Sequence, residues 1–304
     1  MSKFVLIFSF FCVFSFGYEL KLSSNVTALK LLEQDLYIGT DRGEILKYNI
    51  KDKSLKKLLS LPSIKNYHEN SFASIYSIDV FENSLLILSE GDFGAKNLGF
   101  YNKNLQLKKL ENSSIKKAYF LDENTFILAS FGSELYLVDK NLKELSKFIF
   151  SHSSLNDAML NENKTKLVAG FESGEVELFD LQNWKVLKNF NQMHKDNVYQ
   201  VDYKNDTIVS CGTDRRVGIV KNEKQNFLQK DFLIYTCALS PSGKFALYSD
   251  NESGFSELIN TDDLSFVAKF KNDNLMSEFI IFINENEFLL SGFGNSIIFR
   301  SINE

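Results

Sequence analysis

An all-β ring of seven repeated units is the fold class predicted by the 304-residue sequence, on three observations. Turn-forming residues recur at a nearly constant period: Gly43, Gly94, Gly132, Gly174, Asp214, Gly254 and Gly294 stand 51, 38, 42, 40, 40 and 40 residues apart. Each is flanked by two short apolar runs, as in Leu36 to Gly39 then Ile45 to Tyr48, or Leu167 to Gly170 then Val176 to Phe179. The run that precedes each turn is nearly continuous rather than alternating, which marks a strand covered on both faces. Four-stranded propeller blades take roughly 40 to 45 residues. In such a ring both faces of every blade press on neighbours, so the prediction is a seven-bladed β-propeller.

At the N-terminus, Lys3 precedes an apolar run, Phe4 to Phe16, that ends in Ser15-Phe16-Gly17. One positive charge, an apolar stretch and small residues at the cleavage site describe a signal peptide over residues 1–17, which places the mature chain, 18–304, outside the cytoplasm. Thirteen residues of helix reach about 20 Å, short of the roughly 30 Å hydrocarbon core, so a membrane anchor is not expected. Phe11 before Cys12 is too large for a lipoprotein cleavage site. The formal net charge of the whole chain is -5, and loss of Lys3 with the leader makes it slightly more acidic. That balance gives no electrostatic footprint for nucleic acid or an anionic membrane. Pro62 and Pro241 are the only prolines, no linker divides the chain, and a single monomeric domain is expected.

The segment Glu19 to Ser23 alternates apolar and polar residues ahead of the first strand of unit one at Val26 to Leu29. The seventh unit stops at Glu304, just past its third strand. The N-terminal strand is therefore expected to supply the missing outer strand and close the ring, which removes two exposed sheet edges. Units one and two depart from the period. A long segment, Leu61 to Phe72, leads into the inner strand of unit two, and the hairpin Glu90 to Asn97 of that unit is also long. Because strands alternate in direction, both insertions are expected on one face of the disc.

Unit five, His194 to Val220, is the clearest copy. It reads as strand, turn at Asn205-Asp206, strand at Thr207 to Cys211, turn at Gly212 to Arg215, and strand at Arg216 to Val220. This unit resembles a WD40 repeat, with His194, Ser210 and Asp214 matching three polar positions of that family and Val220 standing where its tryptophan would be. Ser240-Pro241-Ser242-Gly243-Lys244 is similar to the family's turn after the first strand. The Trp-Asp pair itself is replaced, for example by Tyr48-Asn49, Val138-Asp139 and Phe179-Asp180. Over its full length, leader included, the chain is similar to the NapL group of exported WD40-like propellers encoded with the periplasmic nitrate reductase; no short motif carries that likeness. The resemblance implies a non-catalytic periplasmic accessory protein of the nitrate reductase system, acting in maturation or electron delivery, with a component of that system as partner. It transfers no site residues.

Candidate chemistry is sparse. No phosphate-binding glycine loop or nucleophile elbow is present, and no cofactor is expected. His68, His152 and His194 are far apart and have no metal-ligand spacing, so no metal site is expected. His194 reads as part of a structural polar set with Ser210 and Asp214. Cys211 and Cys237 fall on adjacent units, and an oxidising compartment permits a bridge, although Cys237 aligns with Val201 as a small inward hydrophobe. Glu90 and Asp92 read as hairpin residues, and Lys51, Lys53, Lys56 and Lys57 as a solvated outer face. A lone Trp184 argues against the quinone-dependent dehydrogenase propellers, which repeat a tryptophan in every blade. Two further classes compete: a general envelope-assembly scaffold, of a kind that is lipid-anchored, and a metal-dependent propeller hydrolase. The hydrolase would need convergent inner-strand groups, for which Ser77, Asp79, Asn156, Asp157, Gln200, Asp202, Thr236 and Glu278 are the candidates. The expected partner surface is the rim bearing both insertions, with Tyr67, Phe72 and Phe93 as aromatic anchors and His68, Glu69, Asp92 and Lys96 around them.

Overall fold

The computed structural model describes residues 17–67, 69–151 and 153–303. Apart from Gly17, the expected signal peptide lies outside the described residues, as do His68 and His152. Seven four-stranded antiparallel sheets follow one another along the chain. Their first strands, Val26–Leu32, Ile75–Phe81, Ile115–Phe120, Leu155–Leu160, Val198–Lys204, Thr236–Leu239 and Ser277–Phe282, pack side by side around a central channel. Fourth strands such as Ser54–Ser60 and Glu144–Ile149 form the exposed rim. The face on which the first strands begin is called the upper face below.

Blades hold together because their second strands are apolar on both sides. Phe126, Ile127, Leu128 and Ala129 are all buried, and they divide between two clusters. Among the described residues, seven hydrophobic clusters form, one at each junction of adjacent blades. The cluster between blades three and four stacks Phe148, Phe150, Phe171 and Phe179 edge to face at 4.8–5.8 Å, the arrangement favoured by ring quadrupoles. Blades approach so closely that a Cβ added to Gly170 would lie 2.7 Å from Val198 Cγ1 of the next blade.

Closure is by the N-terminal strand, as the alternation predicts, though it runs Tyr18–Lys21 rather than Glu19 to Ser23. It pairs antiparallel with Ser296–Ser301 in the register Tyr18 to Phe299 and Lys21 to Ser296. Leu22 then turns inward, buried beneath blade one, and exchanges hydrogen bonds with Asn295: Leu22 N donates to its carbonyl and Asn295 Nδ2 donates to the Leu22 carbonyl, both at 2.7 Å. Tyr18 stacks flat on Phe299 at 4.4 Å, and Tyr48 of blade one donates to its hydroxyl at 3.3 Å. The seventh cluster thus joins the two ends of the chain.

Candidate functional site

The polar set of blade five is assembled as the sequence suggests. His194 Nδ1 lies 3.0 Å from Asp214 Oδ1 and its Nε2 2.8 Å from Ser210 Oγ, while Asp214 Oδ2 accepts the Lys195 amide at 2.8 Å. An acid, an imidazole and a hydroxyl in line have the order of a hydrolytic triad. Burial decides against that use: Ser210 is 0% exposed, and Gly218 presses its backbone on the hydroxyl, where an added Cβ would sit 2.6 Å from Ser210 Oγ. A nucleophile must reach its substrate, and this one faces only protein. Arg216 completes the knot by donating to the Met193 carbonyl at 3.0 Å and covering the Phe227 ring at 3.8 Å. The network ties the segment entering the blade to its second and third strands.

Three acids of the inner strands, Asp79, Asp157 and Asp202, are engaged by neighbouring blades, whereas Glu278 has no such partner among the described residues and burial raises its carboxyl. Asp157 Oδ2 accepts the amide of Val201 in the next blade at 3.1 Å, and its other oxygen meets Lys117 of the preceding blade at 2.9 Å. Asp202 repeats the arrangement toward Leu239 at 2.9 Å, and burial raises its carboxyl above the usual range against the pull of Lys204 and two amides. Gln200 Oε1 accepts from Thr236 Oγ1 at 2.5 Å and from the Cys237 amide at 2.9 Å. These groups bind blade to blade. Cys211 and Cys237 are free thiols, both buried, beside the carbonyl of Gln200. Burial and the neighbouring Cys211 push the Cys237 thiol well up.

Both insertions project from the upper face and lock together. Leu61 to Phe72 is not a plain loop, since Ile64–Lys65 pairs with Asn70–Ser71 as a small hairpin. Its Lys65 amide donates to Asp92 Oδ1 at 2.8 Å, and the Tyr67 and Phe93 rings meet at 5.5 Å. Phe93 sits in a left-handed turn, φ 55°, inside the short 3-10 segment Asp92–Gly94, and that conformation aims its ring at the hairpin. The aromatic residues are open to solvent rather than packed beneath the loops: Tyr67 is 83%, Phe72 59% and Phe93 54% exposed. Glu69 is exposed beside them. Lys96 stands apart from this group. It turns toward the channel, donates to the Ile115 carbonyl and lies over the Tyr76 ring at 4.8 Å.

A feature invisible to strand counting surrounds the channel mouth. In six blades the register of the inner strand slips near its start, between Val26 and Ala28, Ile75 and Ser77, Ile115 and Lys117, Leu155 and Asp157, Val198 and Gln200, and Ser277 and Phe279. The residue passed over in each case, Thr27, Tyr76, Lys116, Asn156, Tyr199 or Glu278, is released from ladder pairing and lines a cavity of about 590 Å³, together with Tyr235 of blade six. Bulges re-aim side chains in this way. The sequence signal was a polar or aromatic residue second in each inner strand, of which only Asn156 and Glu278 stood out.

No protein-family model matches the chain, and no curated protein shows significant sequence similarity to it. Solved structures do match in shape. The Cps50 (Swd1) β-propeller domain of Myceliophteria thermophila superposes with a TM-score of 0.73 at 13% identity, covering 93% of this chain and 99% of that one. A chain of the mitotic checkpoint complex superposes with a TM-score of 0.76 at 10% identity, covering 100% of both. At such identities the likeness is one of fold, and with the seven closed blades it establishes this chain as a seven-bladed β-propeller.

Proposed function

We propose that the protein is a non-catalytic interaction module that binds a protein partner through its upper face. One observation carries this reading. The large apolar side chains exposed on loops cluster there: Tyr67, Phe72, Phe93, Phe131, Phe232, Met276 and Phe293 all lie on segments that join fourth to first or second to third strands. On the opposite face only Leu32, at the end of an inner strand, is comparably exposed among the described residues; the other exposed apolar side chains belong to the outer rim or the inner-strand starts. An asymmetric apolar patch on a closed fold that gains no core from it is the mark of an interface. Tyr67 and Phe93 are the anchors, with Phe72 held beside Arg42 at 5.7 Å and Glu69 and Asp92 at the edge.

The location and the partner rest on the sequence. The leader of residues 1–17 sends the chain to the periplasm, and the whole-chain resemblance to NapL makes the partner a component of the periplasmic nitrate reductase system, with a role in maturation or electron delivery. The closed Ser210–His194–Asp214 set and the engagement of Asp157 and Asp202 between blades support a role without turnover.

Binding of the mature chain to purified components of that system tests the proposal. The double variant Tyr67→Ala/Phe93→Ala is expected to weaken association by about tenfold or more, the usual scale of an aromatic anchor, with the melting temperature unchanged. Leu32→Ala on the opposite face should leave affinity intact. Absence of binding to every component rejects the nitrate reductase link, and affinity that depends on Leu32 rather than Tyr67 and Phe93 rejects the surface.

A further inference from the structure

The cavity at the channel mouth has its own chemistry, set apart from the Tyr67–Phe93 anchors while sharing Met276 and Phe293 with the upper-face apolar residues. All seven blades contribute to its walls, six of them through their inner strands, and its volume of about 590 Å³ is that of a small-molecule site. On the side of blades two and three it holds two lysines with no carboxylate partner among the described residues. Lys116 makes no hydrogen bond there and lies over the Phe131 ring at 5.5 Å. Lys96 donates to the carbonyl of Ile115, the residue before Lys116, and lines the same side of the cavity. The third lysine, Lys117, is already balanced by Asp157 at 2.9 Å.

Desolvation holds Lys96 below the usual ammonium range. Burial does the same for Lys116, where Lys117 and Lys96 add to the effect and Asp157 and Glu172 oppose it. Two partly dehydrated like charges on one wall of a cavity carry an electrostatic cost that a bound anion relieves. Elsewhere the wall mixes polar groups, Thr27, Asn156, Gln200 and Asn251, with an aromatic face. Tyr199 and Tyr235 stand with rings nearly parallel, 10° apart at 5.7 Å, and Met276 and Phe293 close the rim. Glu278 also lines the cavity, on blade seven, and its charge works against a multiply charged anion.

We propose that the channel mouth is a binding site for a small organic monoanion, a carboxylate carried on an aromatic body, with the carboxylate between Lys96 and Lys116 and the ring against Tyr199 and Tyr235. The observation behind it is the set of inner-strand bulges, which turns these side chains out of the ladder and into one cavity. Binding is independent of any protein partner.

Isothermal titration of the mature chain at low salt with benzoate, indole-3-acetate and acetate tests the site. Saturable binding of the two aromatic carboxylates is expected, with acetate weaker by about tenfold or more, a difference of about 1.4 kcal/mol. Lys116→Gln, which breaks no hydrogen bond of the fold, should weaken the aromatic carboxylates by a similar factor without moving the melting temperature. Tyr199→Ala should erase the preference over acetate, and Glu278→Gln should tighten binding. The proposal is overturned if neither aromatic carboxylate binds, if acetate binds as well as they do, or if Lys116→Gln leaves their affinity unchanged.

Discussion

Asp79 Oδ2 accepts the backbone amide of Phe120 at 2.9 Å. The other oxygen of the same carboxylate meets Lys30 at 2.6 Å, so that one side chain of blade two ties blades one and three to it. Asp157 and Asp202 repeat the theme farther round the ring. Acids that a hydrolase would aim at a substrate are here part of a girdle that sets the spacing of the inner strands.

Removing one link should therefore loosen two junctions. Asp79→Ala leaves the Phe120 amide and the Lys30 ammonium without their partner and is expected to cost about 3 kcal/mol, in the range for breaking a buried charged contact. Asp79→Asn keeps an acceptor for the amide and should cost clearly less. Calorimetric unfolding of both variants checks the order; equal losses would assign the effect to charge alone.

Closure by the N-terminal strand predicts a stability effect from a short deletion. Loss of Tyr18 to Lys21 exposes the Ser296–Ser301 edge and removes the ring stacked on Phe299. The melting temperature of a chain beginning at Leu22 should fall by several degrees, since each kcal/mol is worth roughly 2–4 °C in a domain of this class. A melting temperature equal to that of the chain beginning at Tyr18 would contradict closure as a source of stability.

Glu257 gives a pH dependence with a definite sign. Burial alone would raise its carboxyl, but Lys230 at 2.8 Å, the Tyr248 hydroxyl at 2.6 Å and Lys269 at 3.2 Å bring it down to about 2. Its unfolded value is 4.5, so its contribution is complete above that pH and is lost as pH falls toward about 2. Glu257→Gln should lower the melting temperature at pH 7, and the gap to the parent should close between about pH 4.5 and 2. A gap that persists at pH 2 would show that packing, not charge, is at stake.

The thiols of Cys211 and Cys237 should be silent in the native state. Both are fully or almost fully buried, and the thiol of Cys237 is held protonated by its surroundings. In a chain beginning at Tyr18, a thiolate reagent such as Ellman's disulfide is expected to titrate neither thiol in the folded protein and both after unfolding. Recovery of no thiol on unfolding without reductant would mean that the pair is oxidised in the isolated protein.

Part of this molecule was written in local pattern. Recurrent turns at Gly43 through Gly294 and apolar runs beside them determined blade number and strand order, because strand identity follows from side-chain periodicity and turn chemistry that act over a few residues. The alternation around Glu19 likewise identified the closing strand to within one or two residues of Tyr18–Lys21. His194, Ser210 and Asp214 could be grouped because they occupy fixed places in one repeat. What lies between blades was not legible in that way. Asp79 and Asp157 looked like free acids in the sequence, and only the packing of inner strands about 40 residues apart supplied Phe120 and Val201 as their partners. Lys96 belonged by position to the outer insertion, yet the hairpin turns it toward Ile115 in the next blade. The channel mouth depended on register: a slip of one residue sends Lys116 and Tyr199 out of the ladder, and whether a strand slips is decided by the partner strand and the neighbouring blades, which no local pattern contains.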